Sequence, residues 1–99
     1  MFYYLSGKIT DSSPEQQALN MEVFFLVERE LIARGFDVFN PARLEVEGKS
    51  WEWYLARDMK WIYENRPALY MLPGWQESRG ARLEYELAKL LNLQVAEPM

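Results

Sequence analysis

The 99 residues contain no cysteine and no histidine. The first absence excludes disulfides, thiolate nucleophiles and cysteine-ligated metals; the second removes the usual zinc ligand and the usual neutral-pH base. Any acid–base chemistry must therefore run on carboxylates, and neither a metal nor another cofactor is expected. Positive charge is also short, with 11 Lys plus Arg against 15 Asp plus Glu and a formal charge of −4. A protein that neutralises several phosphates of a duplex normally carries a basic excess, so nucleic acid is not an expected partner. No apolar run is long enough to cross a bilayer, and the opening MFYYLSGKIT has neither a basic leader region nor a long apolar one. The expectation is a cytoplasmic protein with no membrane partner.

What the chain does have is apolar material: 49% hydrophobic and 15% aromatic residues, enough for one folded domain over residues 1–99. The aromatic run of residues 1–6 reads as a short buried strand that stops at Gly7. Ser12 or Ser13 then precedes Pro14 and Glu15, a capped helix start, and the helix is expected to reach about Arg34 with Gly35 as its left-handed stop. Along it Ala18, Met21, Phe24, Phe25, Val27, Leu31 and Ile32 keep a helical period. Residues 36–39 form a brief second strand, and the charged stretch to Lys49 reads as a loop. Ser50 caps a second helix over residues 51–65, which Arg66-Pro67 ends. Residues 68–72 make a third strand, residues 73–77 a loop, residues 78–92 a third helix and residues 94–96 a last strand.

Strands alternating with helices predict an α/β fold: a three-layer Rossmann-like or flavodoxin-like sandwich with a short four-stranded parallel sheet. In such sheets a ligand sits beyond the carboxyl ends of the strands, where strand order reverses. That places a site among residues 6–10, 40–43 and 72–75 and the start of the third helix. A sheet this small leaves edges and apolar helix faces to cover, so a homo-oligomer is expected.

Two carboxylates occupy positions where solvated acids do not belong. Asp58 lies inside the apolar face that Trp51, Tyr54, Leu55, Trp61 and Ile62 define on the second helix. Glu84 has Gly80 and Ala81 one turn before it and Leu87 and Ala88 one turn after, whereas Glu86 has Arg82 and Lys89 in reach for a surface ion pair. An acid turned toward an apolar face is desolvated, a condition concentrated where ligands bind or chemistry occurs. The plainer alternative leaves either acid at the rim, reaching water or a nearby arginine. Around Glu84 the run Ser78-Arg79-Gly80-Ala81-Arg82-Leu83-Glu84 offers a hydroxyl and a small residue at a helix start, where free N–H groups favour a phosphate. Ser78 as a simple cap and Gly80 as a packing position remain the alternatives. Lys8 beside Gly7 is a second phosphate candidate, and Trp75 and Tyr4 are candidates to stack on a base.

Three segments, YYLSGKIT, RDMKWI and LPGWQESRGARLEYELAKLLNLQV, together carry a family likeness. The chain resembles the nucleoside 2-deoxyribosyltransferase superfamily, which includes the 2′-deoxynucleoside 5′-phosphate N-hydrolases, and within it a small, uncharacterised branch frequent in phages and prophages. The resemblance implies that Glu84 is the nucleophile, Asp58 assists the base and orients the sugar, Ser78 contacts phosphate, and Tyr3 or Tyr4 is the strand-end tyrosine. With Tyr4 counted among the catalytic groups, Tyr3, Ser6, Gly7, Lys8, Trp75, Ser78 and Gly80 become the substrate-binding set. The implied activity is cleavage or exchange of the N-glycosidic bond of a (deoxy)nucleoside or its 5′-monophosphate, a small-molecule partner. Arg79 and Arg82 are competing partners for Glu84. The alternative function is a protein that binds a nucleotide or nucleotide signal without altering it.

Overall fold

Phe2, Tyr3, Tyr4 and Leu5 favour a pleated, buried surface, and in the computed structural model they open β1 (Phe2–Ser6), the strand from which the sheet grows in both directions. The structure describes residues 2–44 and 48–97; Met1, expected to start the strand, and residues 45–47 of the expected loop lie outside them. Helix α1 (Pro14–Ala33) begins where the Ser13 hydroxyl accepts from the Gln16 N–H and Pro14 fills the first turn. Its chain reverses at Gly35, whose φ of +92° belongs to the region glycine adopts without strain. Strand β2 (Asp37–Phe39) follows, then α2 (Trp51–Asn65), capped by the Ser50 hydroxyl. Arg66 ends α2 in the left-handed region, at φ 50° and ψ 52°, because Pro67 bars it from continuing the helix. Strand β3 (Ala68–Met71), helix α3 (Arg79–Leu90) and strand β4 (Val95–Ala96) complete the chain. Among the described residues no helix is long and apolar enough to cross a membrane.

The four strands are parallel, in the order β2-β1-β3-β4, so strand order reverses between β1 and β3. Helix α1 covers one face, where Phe24 and Leu31 pack with Leu5 and Leu72. Helices α2 and α3 cover the other, where Ile62, Ala81 and Ala88 pack with Tyr4, Leu69 and Met71. The molecule is thus a three-layer α/β sandwich of Rossmann-like type, and its radius of gyration of 12.7 Å is what a chain of this length reaches as one compact body.

Two short 3-10 turns, Pro41–Arg43 and Trp75–Glu77, occupy stretches expected to be plain loop. On α1 the expected apolar face is also narrower: Ala18 and Ile32 are exposed, while Glu28 is buried at 6% exposure. A buried carboxylate needs partners. Arg43 supplies two from its Nε and Nη2 groups, at 2.9 and 2.6 Å from Oε1, and the Asn40 amide adds a longer contact at 3.4 Å. The arginine holds the Glu28 carboxyl below its usual range against the opposing effect of burial. This clamp ties the Pro41–Arg43 turn to α1. Glu28→Ala is expected to cost on the order of 1–2 kcal/mol in urea unfolding, a moderate value because more than half of Arg43 faces solvent.

Candidate functional site

Alternation along β1 decides which side chains can meet. Tyr4 and Ser6 point toward α2 and α3, whereas Tyr3 and Leu5 point toward α1. Glu84, on the inner face of α3 at 6% exposure, receives both hydroxyls: Tyr4 Oη donates to Oε2 at 2.6 Å and Ser6 Oγ donates to Oε1 at 2.7 Å. Burial is the largest influence on this carboxyl and raises it from its ordinary value to about 7. The two hydroxyl donors oppose the rise, and the negative charge of Asp58 adds to it. Tyr4 is itself fully buried and pushed well above the ordinary phenol range, first by desolvation and then by Glu84 and Asp58. Asp58 is raised by burial and held back chiefly by the charge of Arg57, with the nearby Tyr4 hydroxyl a lesser stabilising influence. Two carboxylates from separate helices and one phenol from the central strand therefore form a single electrostatic unit.

This unit opens onto a cavity of about 570 Å³ beyond the carboxyl ends of the strands, large enough for a small organic ligand. Tyr4, Asp58 and Glu84 line it. Gly7 and Lys8 from the end of β1, and Ser78 and Gly80 from the start of α3, line it as well. Gly7 has a close-approach reason to be glycine, since a Cβ there would lie 2.9 Å from the Leu72 Cβ. Gly80 is less constrained: its nearest neighbour would be Trp51 at 3.6 Å, an ordinary contact. The Ser78 hydroxyl caps α3 by accepting from the Ala81 N–H at 3.1 Å while facing the cavity, so the cap and a cavity-facing polar group are one residue. Lys8 is an ion-pair partner of Asp11 at 3.3 Å.

Three residues expected to contact the ligand do not line the cavity. Tyr3 is on the opposite side of the sheet, edge-on to Phe36 and Tyr70, because adjacent strand residues cannot share a face. Trp75 stacks on Tyr85 at 4.8 Å between ring centres and packs against the α2–α3 side of the core instead of lining the cavity. Ser6 is buried and reaches the cavity only through Glu84. Neither arginine competes for Glu84: Arg79 lies over the Trp51 ring, and Arg82 donates to the Gln76 carbonyl. Glu86 is exposed as expected, yet its ion pair does not form, with Arg82 so engaged and Lys89 over Tyr85.

The sequence model of one family, described as Domain of unknown function (DUF4406), matches residues 1–97. The chain belongs to that family. No curated protein matches it. In this DUF4406 domain the site also contains Arg57 and Lys49, which sequence patterns did not single out. With Arg79 and Lys8 they place four cations around the cavity, beside the acids Asp58, Glu77 and Glu84. Arg57 contacts Asp58 through Nε at 3.0 Å and Nη2 at 2.9 Å. Its adjacency to Asp58 in the RDMKWI run was the one available signal, and consecutive helical residues ordinarily diverge.

Proposed function

We propose that this protein cleaves or exchanges the N-glycosidic bond of a (deoxy)nucleoside or its 5′-monophosphate. The observation that carries the reading is the convergence of Glu84 and Asp58, from two helices, on one cavity with Tyr4. Glu84 attacks the anomeric carbon as the bond to the base breaks; the base leaves with the bonding pair and takes up a proton, with Asp58 as its donor or as the group that orients the sugar. The resulting glycosyl ester of Glu84 is opened by water or by a second base, which restores the carboxylate and gives retention after two inversions. Lys8 and Ser78 suit an anionic group on the sugar, and the other cations around the cavity attract it.

The test is incubation of the purified chain with each 2′-deoxynucleoside 5′-monophosphate and chromatography for the free base. Base is expected to accumulate in proportion to enzyme. If these compounds raise the melting temperature but release no base, the protein is a binding module, since any ligand of the native state alone stabilises it. If none of them is bound or cleaved, both readings fail.

A further inference from the structure

Arg57 and Asp58 are neighbours on one helix, and such neighbours do not ordinarily face each other. The Arg57 side chain is nonetheless drawn back onto Asp58, and its other surroundings explain how. Nη1 donates to the Leu44 carbonyl. The guanidinium also lies 5.5 Å from the Trp53 ring centre and 5.2 Å from that of Tyr54. With Nε and Nη2 on Asp58, each of the three nitrogens has a protein contact, and the group borders the cavity. Leu44 follows directly on the Pro41–Arg43 turn, and Pro41 and Ala42 form part of the cavity wall. One arginine thus joins that wall to the carboxylate.

Both contacts fall on a single oxygen, Oδ1, instead of spreading over the carboxylate as a two-oxygen fork. The Tyr4 hydroxyl is a further stabilising influence on the same carboxyl.

We propose that Arg57 is a positioning residue: it favours the ionised form of Asp58, which gives that carboxylate the orienting role and not the donor's, and fixes it relative to the Pro41–Leu44 wall. The catalytic consequence rests on the glycosidic reading above; the electrostatic consequence does not. Asp58 is faced by Arg57 on its own helix, Tyr4 from β1 and Glu84 from α3, and Lys8, Lys49, Arg79 and Glu77 line the same cavity. Of these, Arg57 has the strongest influence favouring the charged form.

The experiment uses the full chain with Arg57→Gln and Arg57→Lys. It follows the Asp58 carboxyl by ¹³C NMR titration, assigned with Asp58→Asn, together with kcat, KM and melting temperature. Arg57→Gln is expected to move the Asp58 midpoint to higher pH and lower kcat roughly tenfold, with a smaller change in KM. Arg57→Lys keeps the charge but cannot hold Asp58 and Leu44 together, so it should restore the midpoint and leave kcat reduced. An unchanged midpoint in Arg57→Gln, or wild-type kcat in Arg57→Lys, overturns the proposal. Should Arg57→Gln fail to fold, the lysine variant's kcat decides. A wild-type chain that releases no base sinks the glycosidic reading alone, and the Asp58 midpoint then decides the role of Arg57.

Discussion

Glu84→Gln is expected to reduce base release by roughly 10⁴-fold while leaving the protein folded. The amide cannot attack an anomeric carbon, but it has the shape of the acid it replaces and its carbonyl can still accept from a neighbouring hydroxyl. Tyr4 and Ser6 reach opposite oxygens of Glu84, so one of them loses its acceptor in the variant. The cost of that loss, about 1–3 kcal/mol, is offset because a charge no longer has to be held in a buried place. Base release and the melting curve measured on one preparation separate chemistry from folding. A variant that keeps more than a tenth of wild-type turnover would remove Glu84 from the role of nucleophile.

The second large effect is a pH dependence in which stability and activity move in opposite directions. The Glu84 carboxyl is raised from 4.5 to about 7 in the native state. Between those values the folded protein holds a proton that the unfolded chain has released, so stability falls as pH rises through this window. Below pH 4.5 both states are protonated and the full contribution is present; above about 7 both are ionised and it is gone. The total is roughly 3 kcal/mol, at about 1.4 kcal/mol per pKa unit. Asp58, also raised, contributes in the same direction. Glu28, whose carboxyl is lowered, contributes stability that is lost only as pH falls toward its own range. Urea unfolding of wild type and Glu84→Gln from pH 4 to 8 isolates the Glu84 share as the difference between the two profiles, because the wild type should lose more stability than the variant on passing through pH 5–7. In the proposed reaction the nucleophile is the carboxylate, so kcat/KM should instead rise with pH through a midpoint near 7 and level off above it. A wild-type stability profile parallel to that of the variant would show that Glu84 ionises as an ordinary acid.

Local chemistry explains what could be read before the structure. The hydroxyl and proline at the start of α1, Ser50 before α2 and Ser78 before α3 are short-range signals, and each is used as expected. The inward turn of Glu84 and Asp58 follows from helical spacing, which is also local. Tyr3 and Tyr4 could not be separated in advance because a pleat exchanges faces at every residue, and only packing against α1 or α3 fixes the register. Trp75 departs from the expected base-stacking position because an aromatic beside a strand end can turn to the ligand or to the core, and Tyr85 on α3 offers it a stacking partner. Glu28 and Arg57 depend on contacts with Arg43 and with the Leu44 carbonyl, each more than ten residues away, and no periodicity encodes such encounters.

The pair of donors on β1 has a further consequence. Tyr4 and Ser6 stand two residues apart on a strand held on both flanks, by β2 and by β3, and β3 pairs with both positions. The two hydroxyls are therefore inherited from the middle of the sheet, and the acid they hold from the inner face of α3. Substitutions or insertions in the segments after β1, β2 and β3 could re-shape what enters the cavity while the acid and its two hydroxyls stay in place, so redesign for new ligands should begin in those connections. Deletion of Leu5 would have the opposite result: Tyr4 and Ser6 would become adjacent, one of them would turn toward α1, and the centre would lose a donor.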